Sequence, residues 1–277
     1  MGGKIIKTSW PKRICSWSVC GTVYLSIPFT WLLKEAKKYL ELIPNTPAVV
    51  GGPAVLLMPG YFKGLSNVEE RKSMPGVLGL INNRATRTTV GCIRKCEFCG
   101  VSKIEPEFKE LDDWPDLPII CDNNILVASQ KHFDKVCDRL EKWGWCDFNQ
   151  GIDARLLTEH HAKRFERIGR PTIRLALDSA SLCDIWENAF SILLKAGCKK
   201  SWIKTYCLVG FKDNPEIAWN NCNFIQAHGI KAFPMWYHSL AEEIYNNVSG
   251  EQIRNGWSQF ERKRIMGWFY KHKEVKQ

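Results

Sequence analysis

No apolar run in this 277-residue sequence is long enough to cross a bilayer; the longest, around Val23–Leu33 and Pro47–Met58, are broken by Pro, Gly, Ser and Thr. Its 20 glycines and 13 prolines are scattered, which argues against fibrous or long disordered stretches. There is no internal repeat and no low-complexity tract. The N-terminal Met-Gly-Gly-Lys-Ile-Ile lacks the apolar core of a secretion signal, and Ile6 stands where a myristoylation signal has Ser or Thr. These absences predict a cytoplasmic protein with no membrane association. Twelve cysteines are too sparse for a disulfide scaffold at this length. Seven of them, Cys121, Cys137, Cys146, Cys183, Cys198, Cys207 and Cys222, stand alone in apolar or helical surroundings and read as small buried hydrophobes.

Charge is uneven. The formal net charge is +10, with +9 in residues 1–100, −3 in residues 101–250 and +4 in residues 251–277. The tail Arg254–Lys276 interleaves Trp257, Phe260, Trp268, Phe269 and Tyr270 with Arg262, Lys263, Arg264, Lys271 and Lys273. Aromatic faces among cations suit bases and phosphates. The competing reading is an amphipathic closing helix with aromatics in the core and cations on a solvated face.

From residue 86 onward, short β-leaning runs alternate with helical stretches. The runs are Thr88–Val90, Pro118–Cys121, Trp145–Asn149, Ile173–Leu177, Ile203–Val209 and Lys231–Trp236. Lys131–Trp143, Thr158–Ile168, Asp184–Ala196 and Pro215–His228 read as helices, with start chemistry at Thr158/Glu159 and Asp184/Glu187. Gly169, Gly197 and Gly229 mark helix stops. Six strands alternating with helices predict an α/β fold with a parallel sheet, as a six-unit partial barrel or an open doubly wound sheet. In either, the strands' C-terminal edge is the working face. Ahead of this body, Val23–Ile27, Trp31–Ile43 and Ala48–Val50 predict a small αβ unit, and Gly60–Asn83 reads as loop. The division is residues 1–85, 86–240 and a helical tail over 241–277.

The segment Thr88–Gly100 holds Cys92, Cys96 and Cys99 as C-x3-C-x2-C directly after the first strand. Three thiolates on one short loop can converge on one metal centre. Zinc is the main competitor, yet a structural zinc site takes four protein ligands, and the next candidates, Cys121 and His132, lie one strand further on. Three cysteines without a local fourth suit a [4Fe–4S] cluster with one iron open.

With Phe98 just before its third cysteine, this loop resembles the signature of the radical S-adenosylmethionine (SAM) superfamily. The resemblance covers roughly residues 86–240. It implies a partial (β/α)6 barrel of TIM type and an enzyme in which Cys92, Cys96 and Cys99 hold the cluster. It implies SAM as the second cofactor, cleaved by one electron to a 5′-deoxyadenosyl radical that abstracts a substrate hydrogen. A reductase or flavodoxin-like protein would supply that electron.

Further SAM contacts are expected at later strand ends. Asp122-Asn123-Asn124 stands where relatives carry a Gly-Gly-Glu-like element, and offers acceptors for the SAM ammonium. Gln150, Asp153 and Arg155 follow the third strand, and Arg155 would take the methionine carboxylate. Asp178-Ser179 ends the fourth strand, and Gly210 ends the fifth beside the expected adenine position. Tyr237 and His238 end the sixth strand and are candidates for substrate contact or hydrogen relay, with Cys207 and Tyr206 a weaker pair on the fifth. A packed aromatic strand end is the alternative.

Residues 20–55 resemble the last part of the cobalamin-binding domain of one radical SAM subfamily. The Asp-x-His-x-x-Gly element that ligates cobalt is missing, and no His precedes His132, so a degenerate remnant without cobalamin is expected. Cys15 and Cys20 lack the partners for a second cluster, and no cysteine follows Cys222. For the substrate, the basic ends favour a nucleic-acid base or nucleotide, and the acidic middle favours a small metabolite or peptide. The reading outside enzymes is a nucleic-acid-binding protein with a structural or redox-sensing Fe–S cluster.

Overall fold

The computed structural model describes Trp10 and residues 13–271; the N-terminal Met-Gly-Gly-Lys-Ile-Ile, Lys273 and Lys276 lie outside the described residues. The chain divides into two compact units, one formed by residues up to Ala85 with Ser239–Tyr245, the other by Thr86–His238 with the segment from Asn246 onward.

In the first unit, β1 (Cys15–Val19) and β2 (Thr22–Ser26) form an antiparallel hairpin. Its two-residue turn uses Cys20 at φ 48° and Gly21 at φ 78°, the pair of positive φ angles that matches the right-handed strand twist. β3 (Ala48–Gly51) and β4 (Val68–Glu70) extend the sheet in parallel. Leu25 and Val50 from the sheet and Ile27 just past β2 meet Leu33, Ala36 and Leu40 of α1 (Leu33–Glu41) and Ala54 of α2 (Pro53–Leu57) in one core. The region read as loop contains β4 and α3 (Val77–Ile81). Three residues, Val-Glu-Glu, carry no alternation from which an edge strand is recognised.

In the second unit six strands pair in chain order: β5 (Ala85–Thr86), β8 (Ile119–Ile120), β9 (Cys146–Phe148), β10 (Pro171–Leu177), β11 (Ile203–Val209) and β12 (Ala232–Trp236). The pairs from β8 to β12 are parallel. The intervening pair, β6 (Thr89–Val90) and β7 (Lys109–Glu110), is a separate antiparallel ladder. The first strand of the main sheet is therefore Ala85–Thr86, and most of the expected run Thr88–Val90 belongs to that small ladder. The reason is a distant partner: the backbone N–H groups of Thr88 and Thr89 are taken by the Asp122 carboxylate.

Strand order that follows chain order has no switch point, so right-handed crossovers bring the helices to one face. β10 and β11 alternate strictly between buried and half-buried residues. The buried set, Ile173, Leu175, Leu177, Ile203, Cys207 and Val209, joins the core with α5 (Gln130–Trp143), α6 (Glu159–Arg167), α7 (Cys183–Lys195) and α8 (Pro215–Ala227). The other face is the less buried one, with Arg174, Lys204 and Tyr206 half-buried on it and Tyr270 of the tail 6.1 Å from Phe233 at its β12 side.

Helix ends follow local chemistry. Thr158 caps α6 reciprocally with His161, not with Glu159, because the cap partner is the third helical residue. No side chain caps α7: Leu182 is its cap position, and Asp184 sits inside the first turn, where a carboxylate complements the helix dipole. Gly169, Gly197 and Gly229 follow the ends of α6, α7 and α8 at φ 91°, 96° and 76°.

The tail does not stand apart. α10 (Gln259–Lys271) follows α9 (Gly250–Arg254) and packs against β12 and α8. Trp257, Ile265 and Phe269 are core residues, Phe269 lying 5.3 Å from the Trp219 ring, whereas Phe260, Trp268 and Tyr270 are exposed. Among the described residues no helix is long and apolar enough to cross a membrane. Phe269→Ala is expected to cost about 3–5 kcal/mol of stability in urea unfolding, as for other fully buried aromatics. A loss below about 1 kcal/mol, the range of surface positions, would make the tail peripheral.

Candidate functional site

The three clustered cysteines lie between β6 and β7, in a loop closed at its base by the pairs Thr89↔Glu110 and Val90↔Lys109. Two carboxylates hold it. Asp122, two residues after β8, accepts from Thr88 N at 2.6 Å, Thr89 N at 2.9 Å and the Thr88 hydroxyl. Burial pushes its carboxyl above the usual range, and the Thr88 and Thr89 donors pull it back only in part. Glu105, at the end of α4 (Val101–Ile104), takes both ends of the Arg87 guanidinium at 2.6 and 2.7 Å, with Asn123 Nδ2 at 2.7 Å and Gly91 N at 3.1 Å. Burial opposes its charge, yet these donors bring its carboxyl below the usual range. Gly91 has φ 75°, and a Cβ there would stand 2.1 Å from Glu107 O.

Cys92, Cys96 and Cys99 are half-buried and free. They are electrostatic neighbours: burial raises the Cys96 and Cys99 thiols first, Asp178 and Cys92 raise Cys96 further, and Cys96 and Cys92 raise Cys99. Opposing this, the Arg155 guanidinium favours the Cys96 thiolate and the Val101 N–H favours that of Cys99. Cys92 Sγ accepts from Arg94 N at 3.3 Å and Asn124 Nδ2 at 3.8 Å. Among the described residues, no three His, Cys, Asp or Glu side chains stand in ligand geometry about one point.

Around these thiols the structure gathers Asn124, Asp153, Arg155 and Asp178. Asp153 accepts from Arg94 Nε at 3.0 Å and Arg155 Nε at 2.6 Å. Its burial is outweighed by those cations, chiefly Arg155, and its carboxyl falls below the usual range. Asp178 is raised by burial, with Arg155 opposing, and it acts electrostatically on both Cys96 and Cys99. Asn124 Oδ1 is a buried acceptor with no hydrogen-bond partner among the described residues. With Arg94, which donates to Asp153, the set holds two guanidiniums, two carboxylates and an unfilled amide acceptor. It is suited to a zwitterion that brings one ammonium and one carboxylate.

Other expected residues fall elsewhere. Asp122 and Asn123 are engaged in holding the loop, and Gln150 is exposed. Phe98 meets Phe211 edge-to-face at 5.5 Å, and Phe211 meets Tyr237 at 4.8 Å. Beside this aromatic row, Lys212, at φ 52°, reaches Glu97 at 2.5 Å. His238 Nε2 accepts from Asn246 N at 3.0 Å. Cys207 is fully buried on the helix-covered face; its neighbour Cys222, and then burial, hold its thiol well above the usual value. That position keeps Cys207 from the less buried face. Gly210, φ 85°, is hemmed in, since a Cβ would stand 2.7 Å from the Trp236 ring.

Several working residues left no mark in periodicity or spacing. Glu105, Arg87, Arg94 and Thr88 act through partners 14–59 positions away, and no local pattern announces such pairs. Asp213 is another: its Oδ1 accepts from Gly210 N at 2.9 Å and Trp257 Nε1 at 3.1 Å, fixing the turn after β11. No protein-family model and no curated protein matches this chain.

Gly91→Ala is expected to disorder the cysteine loop while leaving the main sheet folded. Thiol labelling of Cys92, Cys96 and Cys99 should accelerate on the order of tenfold or more with unchanged circular dichroism; unchanged labelling would contradict the clash. A second expectation concerns acid. Burial raises the Asp213 carboxyl to about 6, so the folded state binds a proton that the unfolded chain, near 3.9, does not. Stability contributed by this group therefore rises as pH falls from about 6 toward 4. Asp213→Asn, which keeps the Oδ1 acceptor, should flatten that rise in pH-dependent urea unfolding; an unchanged slope would exclude Asp213 as its source.

Proposed function

We propose that the chain is a radical SAM enzyme built on a partial (β/α)6 barrel. The observation that carries this reading is a loop with three mutually interacting thiols, beside a cluster of groups suited to an amino acid's ammonium and carboxylate. Soft thiolates suit iron–sulfur clusters or zinc, and a structural zinc site wants four protein ligands. Three thiols, with N–H donors on one sulfur and a guanidinium beside another, fit a [4Fe–4S] cluster that leaves one iron open. Strand order following chain order, with one face covered by helices and the other less buried, supports a singly wound barrel over a doubly wound sheet.

In this reading Cys92, Cys96 and Cys99 hold the cluster. A cluster held there would supply one-electron reduction of SAM, and through it the means of hydrogen abstraction, its electron coming from an external donor. The protein's own residues bind and orient. Arg155 takes the methionine carboxylate, Asp178 and Asn124 Oδ1 accept from the ammonium, and the row Phe98–Phe211–Tyr237 borders the cysteine loop. Burial raises the Asp178 carboxyl, and an ammonium placed against it would restore its charge. We place the enzyme in the cytoplasm, served by a reductase or flavodoxin-like donor. The first unit is read as a cobalamin-domain remnant that binds no cobalamin. The basic chain ends favour a nucleic-acid base or nucleotide as the substrate.

Anaerobic reconstitution with iron and sulfide, followed by dithionite and SAM, should yield 5′-deoxyadenosine from the wild type and none from Cys96→Ala. Stoichiometric zinc uptake in place of iron, or equal product from both proteins, would refute the assignment.

A further inference from the structure

The less buried face of the main sheet carries its polar residues in rows. Arg174 on β10 is in register with Lys204 on β11, and continuing the β11–β12 register one residue back places Lys231 beside Lys204. Three cations therefore stand side by side across three strands. Like charges directly opposite one another destabilise a sheet. Arg174 is offset by Asp147, to which Nη2 donates at 2.9 Å, and its guanidinium lies 5.8 Å from the Tyr206 ring. Lys231 lies 5.0 Å from the Phe233 ring and makes no ion pair among the described residues. Lys204 has neither a hydrogen bond nor an ion pair there. Burial, then Arg174, then Lys231 depress its ammonium, so the position disfavours the charge it carries.

One row nearer the C-terminal edge, Tyr206 and Phe233 are in register, ring centroids 6.4 Å apart and nearly perpendicular. One row further on lie Leu208 and Met235, in register, with Asp178 just past the end of β10. Asp178 is the residue whose charge reaches Cys96 and Cys99. Two residues of strand span roughly 6.6 Å, so cations, rings and the Asp178 level follow one another over about 13 Å.

We propose that this face binds a mononucleotide-class substrate, its phosphate monoester on Lys204 and Lys231 and its ring system against Tyr206 and Phe233. The remainder of the molecule is then presented toward Asp178 and the three thiols. Charge decides for phosphate: near pH 7 a phosphate monoester carries about −1.5 to −2, matching the two cations without an anionic partner, where one carboxylate would leave a charge over. Lysines suit phosphate as point charges. The inference deepens the radical SAM reading by naming its substrate class, and in that sense rests on it.

Thermal unfolding of the full chain tests it, with uridine 5′-monophosphate, uridine, inorganic phosphate, a single-stranded 12-mer, and potassium chloride of equal ionic strength as probes. Uridine monophosphate should raise the melting temperature by several degrees, more than uridine or phosphate, because ligand binding to the folded state stabilises it. Lys204→Gln should unfold at or above the wild-type temperature without ligand and bind the nucleotide roughly tenfold or more weakly. Lys231→Gln, as an independent variant, should weaken binding in the same direction. No advantage of the nucleotide over uridine, or an undiminished shift in both variants, would overturn the proposal. Tighter binding of the 12-mer than of the nucleotide would also overturn it, assigning the face to nucleic acid. The 5′-deoxyadenosine assay on the same preparation separates the two ideas. Product without nucleotide binding sinks the substrate class alone, and binding without product sinks the radical reading alone.

Discussion

The cysteine loop has little regular structure of its own, and its shape depends on two carboxylates that burial would rather keep neutral. Asp122 collects the Thr88 and Thr89 amides and Glu105 collects Arg87, Asn123 and Gly91. A buried carboxylate left without donors is costly, so each bond also removes a penalty the folded chain would otherwise carry. The result couples the loop to the sheet at both ends. Thr88 and Thr89 are held by Asp122, two residues past β8, and Gly91 by Glu105 at the end of α4. The thiols inherit their positions from polar satisfaction as well as from the packing of Phe98 on Phe211.

Much of the fold was legible because burial follows period. The runs Ile173–Leu177 and Ile203–Val209 are short, apolar and β-leaning in sequence, and they alternate between buried and half-buried residues in space. Glycine stops and the Thr158 cap mark helix ends by rules that act over three or four residues. Legibility fails where partners are distant. Thr88–Val90 is as β-prone as any run here, yet Asp122, more than thirty positions later, diverts it from the sheet. The short strand Val68–Glu70 exists because β3 offers it an edge, a fact about a neighbour and not about Val-Glu-Glu.

The site divides along the same line. Cys92, Cys96 and Cys99 are readable because three ligands on one loop leave a spacing. Arg155 and Asp178 are readable as polar residues at strand ends, where parallel sheets present their working groups. Asp122 is equally polar and equally placed, and it turns inward to hold backbone amides. Only its bonds separate its role from that of Asp178. Cys207 illustrates the period-two rule: one residue from the half-buried Tyr206, it belongs to the opposite side of the sheet.

The division of the chain into units is not a division of the sequence. Ser239–Tyr245 belongs with the first unit, where the Thr30 hydroxyl donates to Glu242 O and Trp31 lies 5.2 Å from Tyr245, while the segments on either side belong with the second. Thr30 is almost fully buried, so its hydroxyl has its acceptor only once residue 242 exists. A nascent chain therefore cannot finish its N-terminal unit first and then move on, the usual order for successive domains. The first 85 residues must wait, incompletely satisfied, until residue 242 has been made. The second unit waits longer, for Phe269. Maturation of both units is thereby deferred until residues 239–269 have been made, and the exposure of the intermediate to chaperones and proteases is set by the time taken to reach them.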